Sequence, residues 1–242
     1  MRIDLKGIVL KKIAYSDNRI IADILTDKIG KQSFIINAGK TKQTRNKINS
    51  IQVFSPLELQ AFVKDNETLA KLNDYSLLFP LRSIHYEFKR NSVAVFLAEI
   101  INKTLKENVS DQKLFEFVLT AIQILDISAH NLSNFHISFL LNYSKFLGIF
   151  PENNSSETRK IFDLSLSKFT IGIPQHQNWL DEKLSSLFCE FFKTDLSNSH
   201  LIKLDHTKRQ TLLYAMLDYY NLHLSKPGKL NSLDVLRQVF EA

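Results

Sequence analysis

The sequence predicts an α+β chain: an N-terminal five-stranded β-barrel followed by an α-helical bundle. Two observations carry this. Apolar residues alternate with a period of two through the first 80 residues, then recur with a helical period from Asn91 onward, and the change falls at Phe79-Pro80. A third observation separates the parts by charge. Residues 1–80 hold 13 Lys and Arg against 8 Asp and Glu, whereas the rest of the chain holds 18 against 17, so the excess positive charge lies almost wholly on the first part. The expected domains are therefore 1–80 and 81–242, the second with an irregular insertion at 152–177.

Along the first part, Ile3, Leu5, Gly7, Val9 and then Lys11 fall on one alternation, with Ile8, Leu10 and Ile13 on or near the other. This predicts a long strand with a slip or bulge near Ile8 to Leu10, a device common where a sheet curls into a barrel. Ser16-Asp17-Asn18 is a turn cluster, Arg19 to Thr26 a second strand, and Lys31 to Asn37 a third. Gln52 to Lys64 and Thr68 to Leu78 have strand character on either side of the turn Asp65-Asn66-Glu67, with Pro56 restricting the fourth to an edge or bulged position. Five strands in so short a span, with a long loop after the third, fit a barrel of the oligonucleotide-binding type (OB-fold). The same count also fits a small barrel without a ligand.

In the second part, Val93, Phe96, Leu97, Ile100 and Ile101 form one helical stripe, and Leu114, Phe117, Val118, Ala121, Ile122 and Leu125 another. Asp111 and Ser133 stand where N-caps are expected. The helix Asn134 to Leu147 is apolar on most of its circumference and is expected at the centre of the bundle. Gly148 and Pro151 end it. Helical period returns at Trp179 to Phe192, Thr207 to Leu224 and Ser232 to Phe240.

Several chemistries are excluded by what the sequence lacks. Ala38-Gly39-Lys40-Thr41 echoes the end of a phosphate-binding P-loop, but the glycine needed five residues before Gly39 is Phe34. The seven histidines include no i, i+4 pair, and neither a G-x-S-x-G elbow nor H-E-x-x-H occurs. His136 reads as a core histidine. Cys189, the single cysteine, reads as a small buried hydrophobe; it rules out an intrachain disulfide and any multi-cysteine zinc site. No enzyme activity, cofactor or metal is expected. The charged opening residues and the shortness of the apolar runs point to a cytoplasmic protein with no membrane association.

What remains is the stretch Lys28 to Ser50, which carries Lys31, Lys40, Lys42, Arg45 and Lys47, with no acidic residue between Asp27 and Glu58. Cations in a loop are often merely solvated. Here the absence of acids, the Lys11-Lys12 pair on the first strand and the barrel context favour a polyanion such as nucleic acid. The expected DNA-binding residues are Lys11, Lys12, Lys31, Lys40, Lys42, Arg45 and Lys47 along the phosphates, with Phe34 as an aromatic face for a base. Phe34 and its alternative Phe54 are equally available to the barrel core. A competing reading is a protein-interaction scaffold, in which the nearly neutral helical part binds an acidic peptide tail without direct DNA work.

The opening KGIVLKKIAYSDNRIIADILTDKIGKQSFIINAGKTK, with its T-x-x-x-G step, the helix ending FLLNYSKFLGIFP (Phe139 to Pro151) and the final SLDVLRQVF (Ser232 to Phe240) resemble, in this order, the bacterial recombination mediator family RecO. The resemblance implies an OB-fold barrel, a helical domain and a role in DNA repair and DNA recombination after DNA damage. It further implies binding of single- and double-stranded DNA, strand annealing, contact with RecR and with the C-terminal tail of the single-strand-binding protein, and help in loading the recombinase. Many members carry a four-cysteine zinc module after the helix matching Asn134 to Leu147. The corresponding segment here, Glu152 to Gln177, has no cysteine. It is expected to be a zinc-less variant that keeps its shape by packing alone, around Phe162, Phe169 and Ile171.

Overall fold

The computed structural model describes residues 2–16, 19–37, 48, 51–63, 69–225 and 228–241. The chain forms two compact units, 1–127 and 128–242. Strand gives way to helix after residue 77, close to the expected point, yet the first unit runs on to Ile127 and keeps two helices with the barrel.

In the first unit, β1 (Arg2–Ser16), β2 (Arg19–Thr26), β3 (Gly30–Asn37), β4 (Pro56–Phe62) and β5 (Leu69–Leu77) close into a barrel in the order β1-β2-β3-β5-β4. All pairs are antiparallel except β3 with β5. A walk across the strands from Ile13 through Ile21, Ile35, Lys71 and Phe62 returns to β1 at Arg2, 11 positions from its start. That stagger is what closing a small sheet requires.

β1 makes closure possible by serving two partners, β4 through residues 2–8 and β2 from Gly7 onward. At the crossover Gly7 faces inward, where a Cβ would lie 2.5 Å from Leu59 Cδ1 and 2.6 Å from Ile24 Cγ2. Only glycine fits there. The expected bulge is present, with Leu10 as the extra residue between Val9 and Lys11. Pro56 opens β4, the one place in a closed strand where its missing N–H costs nothing. Phe34 and Phe54 are both fully buried, which assigns them to the interior rather than to a base-binding surface.

Two helices, α1 (Phe88–Thr104) and α2 (Gln112–Ile127), complete this unit, and α1 packs on β1. Asp111 caps α2 through the Leu114 N–H at 3.0 Å, as expected. The link between them lies on the β2–β3 turn. Gly30 has φ +74° and a Cβ there would meet the Val109 carbonyl oxygen at 2.2 Å. The Asn108 N–H donates to the Lys31 carbonyl at 3.0 Å, and the Thr26 hydroxyl donates to the Gly30 carbonyl at 2.7 Å. At the far end of α2, the buried Asp126 carboxylate accepts from the backbone N–H groups of Arg82, Ser83 and Ile84 at 2.8–3.0 Å. Burial alone would raise its pKa, but these three donors outweigh it and hold the group below its ordinary value. The strand-to-helix connection is thereby pinned to α2.

In the second unit, α3 (Phe135–Tyr143) is buried along nearly its whole length, as its apolar circumference predicts. Around it pack α4 (Glu182–Lys193), a 3₁₀ helix (Leu196–Leu201) and α5 (His206–His223), with α6 (Leu233–Glu241) on α5. Ser133 does not cap α3; it bonds to Asn131, and the helix starts after Asn134. The segment 152–177 contributes β6 (Ile161–Asp163) and β7 (Lys168–Thr170), which form a three-stranded sheet with β8 (Trp179–Leu180). Trp179 therefore belongs to a strand, and Asp181 caps α4 through the Leu184 N–H at 2.8 Å.

Packing is only part of what shapes that segment. Phe162 and Phe169 meet at 5.1 Å and Phe162 also contacts Phe188, but Ile171 is 73% exposed and takes no part. The Asn154 side chain accepts from the Phe169 N–H at 2.7 Å and donates to its carbonyl at 3.2 Å, in the manner of an added strand. Asp163 accepts from the N–H groups of Ser165 and Leu166 and pairs with His176 at 3.2 Å. The expectation of packing alone is corrected accordingly, because strands this short leave backbone groups without ladder partners, and the Asn154 and Asp163 side chains supply them.

Replacing Gly30 by Ala is expected to destabilise the first unit by roughly 2–4 kcal/mol, from left-handed strain added to an overpacked contact. Gly172, with φ +76° but no atom within 4 Å of its added Cβ, provides the control. Its replacement should cost only about 1 kcal/mol, both being read from urea denaturation midpoints.

Candidate nucleic-acid interface

Strand alternation and the Leu10 bulge together decide which side chains the barrel presents. Had the alternation run unbroken, Lys11 would follow Val9 inward. The extra residue exchanges the two lysines: Lys11 faces out opposite Asp23, and Lys12 turns to the barrel mouth opposite the buried Ala22. The Lys12 ammonium donates to the Ile48 carbonyl at 3.2 Å, and burial lowers its pKa. It fastens the end of the 38–50 connection to the barrel, where Ile48 packs against the core.

Lys31 lies at the opposite end of β3, beside the Gly30 turn. Its ammonium donates to the Asn102 carbonyl at 2.7 Å. Burial lowers its pKa, partly opposed by Glu107 and Asp23. The bond to Asn102 ties α1 to the sheet. Phe34, expected as a base platform, is corrected: on β3 it alternates with the outward Ser33 and Ile35, and it fills the barrel interior. Lys40, Lys42, Arg45 and Lys47 lie outside the described residues. Of the remaining expected contacts, Lys11 is exposed and Lys12 and Lys31 are half-buried.

The outward face of β1, β2 and β3 has an order of its own. Its registers set Lys11, Asp23 and Ser33 in one row and Ile13, Ile21 and Ile35 in the next. Beyond these, Tyr15 and Ser16 together oppose Arg19, which pairs with Asn37. The Asp23 carboxylate accepts from Ser33 Oγ at 2.7 Å and Asn102 Nδ2 at 3.1 Å. Farther around the barrel Phe62, 46% exposed, stands between Arg2 on β1 and Lys71 on β5. Sequence reasoning missed Tyr15, Arg19 and Phe62. For Arg19 the signal was available, since Ile20, Ala22 and Ile24 mark the inward alternation of β2.

A second sector of the barrel has the opposite character. A groove of about 440 Å³ lined by Asp4, Asp27, Glu58 and Asp74 holds only Lys6 and Lys28 as cations. The Lys28 ammonium there donates to the Asp4 carbonyl at 2.7 Å. A polyanion is repelled from this groove. Among the described residues no helix is long and apolar enough to cross a membrane.

A closed five-stranded barrel in this strand order, with mixed cationic and apolar side chains on its β1–β2–β3 face, defines an OB-fold protein with appended helices. Comparison with known families narrows this. Residues 1–81 match the family described as Recombination protein O N terminal and residues 85–234 that described as Recombination protein O C terminal. The chain belongs to the RecO family. Curated relatives named DNA repair protein RecO include those of Phocaeicola vulgatus, 30% identical over 97% of both chains, and of Azobacteroides pseudotrichonymphae, 30% identical over 98% of both. That of Flavobacterium psychrophilum is 31% identical over 99% of this chain and 100% of its own.

Substituting Phe34 by Ala is expected to cost roughly 3–5 kcal/mol of stability, as for a large aromatic removed from a closed core. Chemical denaturation reads this; a surface base platform would lose affinity for DNA and almost no stability.

Proposed function

We propose that the chain is a DNA-binding recombination mediator in DNA repair. It binds single- and double-stranded DNA, anneals complementary strands, and with RecR assists recombinase loading on DNA covered by the single-strand-binding protein. It works in the cytoplasm by binding and not by catalysis. The observation that supports this most is membership of the RecO family along nearly the whole chain, combined with an OB-fold barrel whose exposed Lys11 and Arg19 are not among the residues that line its acidic groove.

The 38–50 connection enters this reading through its charge. Each phosphate contact contributes roughly 0.7 to the log–log salt slope on single strands. Replacing Lys40, Lys42, Arg45 and Lys47 together is expected to flatten that slope by about three units, measured by oligonucleotide titration against salt. An unchanged slope and affinity would remove the connection from DNA binding.

A second reading, the peptide-binding scaffold, is favoured by one feature of the second unit. Between α5 and α6 a shallow notch floored by Leu213 and Leu236 is bordered by His206, Arg209 and Arg237. Beneath it His136 is fully buried, and burial reinforced by the Arg209 guanidinium pushes its pKa down to about 3, so it stays neutral. An apolar floor under cations suits an acidic peptide with a hydrophobic end, such as the tail of a single-strand-binding protein. Arg237→Glu is expected to weaken such a peptide at least tenfold, about 1.4 kcal/mol, in a calorimetric titration while leaving oligonucleotide binding unchanged. A truncation that separates the two activities belongs after Ile127, because α1 and α2 are part of the barrel unit.

A further inference from the structure

Lys12 stands where the fold alone favours an apolar side chain. The Leu10 bulge turns it to the barrel mouth, opposite the fully buried Ala22, and burial lowers its pKa. Among the described residues no carboxylate pairs with it, and its ammonium meets the Ile48 carbonyl at 3.2 Å. A half-buried charge with a carbonyl for its partner costs the barrel more than an apolar chain of equal length. The turn that follows is held without it. Ile51 and Phe54 are fully buried, the Phe54 N–H donates to the Val9 carbonyl at 2.7 Å, and the Val9 N–H donates to the Ser55 carbonyl at 3.1 Å. Ser55 Oγ in turn lies 3.2 Å from His85 Nε2. The Ile48 carbonyl accepts from the Ile51 N–H at 3.1 Å within the same turn, so the Lys12 bond, spanning 36 residues, is the one that ties this carbonyl to a strand. Ile48 directly follows Lys47 and is three residues after Arg45.

We propose that Lys12 is a positioning residue for DNA binding: it touches no phosphate, and by holding the Ile48 carbonyl at the barrel mouth it fixes the C-terminal end of the segment that carries Lys40, Lys42, Arg45 and Lys47. The inference rests on the DNA-binding reading above and on the part of the 38–50 connection in it. A cationic segment anchored at one end loses less freedom on meeting a strand than one that must be ordered on contact. The anchor therefore contributes to affinity without adding a contact. Its cost falls on the stability of the barrel and its gain on DNA binding, so one substitution moves the two in opposite directions. Lys11, its neighbour across the bulge, faces out opposite Asp23 and has no such hold on the connection.

The test is a double-mutant cycle on the full chain: wild type, Lys12→Met, the joint replacement of Lys40, Lys42, Arg45 and Lys47 by Ala, and the two combined. Each is titrated with a labelled oligo(dT) at a salt concentration low enough for all of them to bind. Lys12→Met is expected to weaken the wild-type background about tenfold, the effect of ordering roughly one further residue on binding, and to leave the neutralised background unchanged. Its urea midpoint should equal or exceed that of wild type. An equal loss in both backgrounds overturns the proposal, because Lys12 then meets DNA itself. A lowered urea midpoint overturns it by assigning the lysine to the stability of the barrel. Undiminished binding by Lys12→Met in the wild-type background overturns the positioning role alone and leaves the connection in DNA binding. If the joint replacement by itself leaves affinity unchanged, the part of the connection in that reading fails and the positioning role fails with it.

Discussion

The seat of the α1–α2 link on the Gly30 turn is the contact on which the first unit depends. Gly30 has no Cβ and holds a left-handed φ, so the backbone of Val109 can lie directly against it. Its neighbours are drawn into the same joint. Lys31 reaches Asn102, Asn108 reaches Lys31, and Asn102 reaches Asp23. This couples the packing of two helices to the charge of the sheet's outer face. The Lys31 ammonium ties α1 to the sheet, and the Asp23 carboxylate accepts from Ser33 and Asn102, neutral donors that leave its negative charge on that face.

The barrel then divides its surface by sign. The acidic groove and the β1–β2–β3 face are lined by different residues, and four of the cations behind the positive excess of residues 1–80, Lys40, Lys42, Arg45 and Lys47, belong to the 38–50 connection. Two bulges on β1 do the sorting. One turns Lys11 out and Lys12 in; the other places Tyr15 beside Arg19 at the tip. Lys12 has its own use, because its bond to the Ile48 carbonyl fastens the C-terminal end of the basic connection to the barrel mouth. Charge on this protein therefore serves two purposes, positioning and presentation, and neighbouring lysines differ in which they serve.

In the second unit, order comes from a buried helix and from side chains that stand in for backbone. α3 is wrapped on nearly all sides, and the Tyr220 hydroxyl donates to its Leu140 carbonyl at 2.7 Å, at a depth where solvent is excluded. The cysteine-free segment after it is organised by Asn154 and Asp163 as much as by its phenylalanines. A short sheet buries too little apolar surface to hold itself, and these hydrogen bonds restrict the turns that join its strands.

The order of elements was written in the sequence, because strand and helix periodicities are local and strong: the five strands, the bulge near Leu10, the Asp111 cap and the central α3 all follow from spacing alone. Membership of the RecO family was legible in the same way, from the order of three weak stretches. What each side chain faces was not. Phe34 fits core and platform equally in the sequence, and barrel closure places it inside; Lys12 and Lys31 read there only as cations, and the structure gives them carbonyl partners 3.2 and 2.7 Å away. Tyr15 looked like one more strand residue until a register shift at its own position exposed it. Periodicity is decided by neighbours along the chain, whereas the direction and partners of a side chain are decided by segments dozens of residues distant, and only the closed barrel with its seated helices brings those segments together.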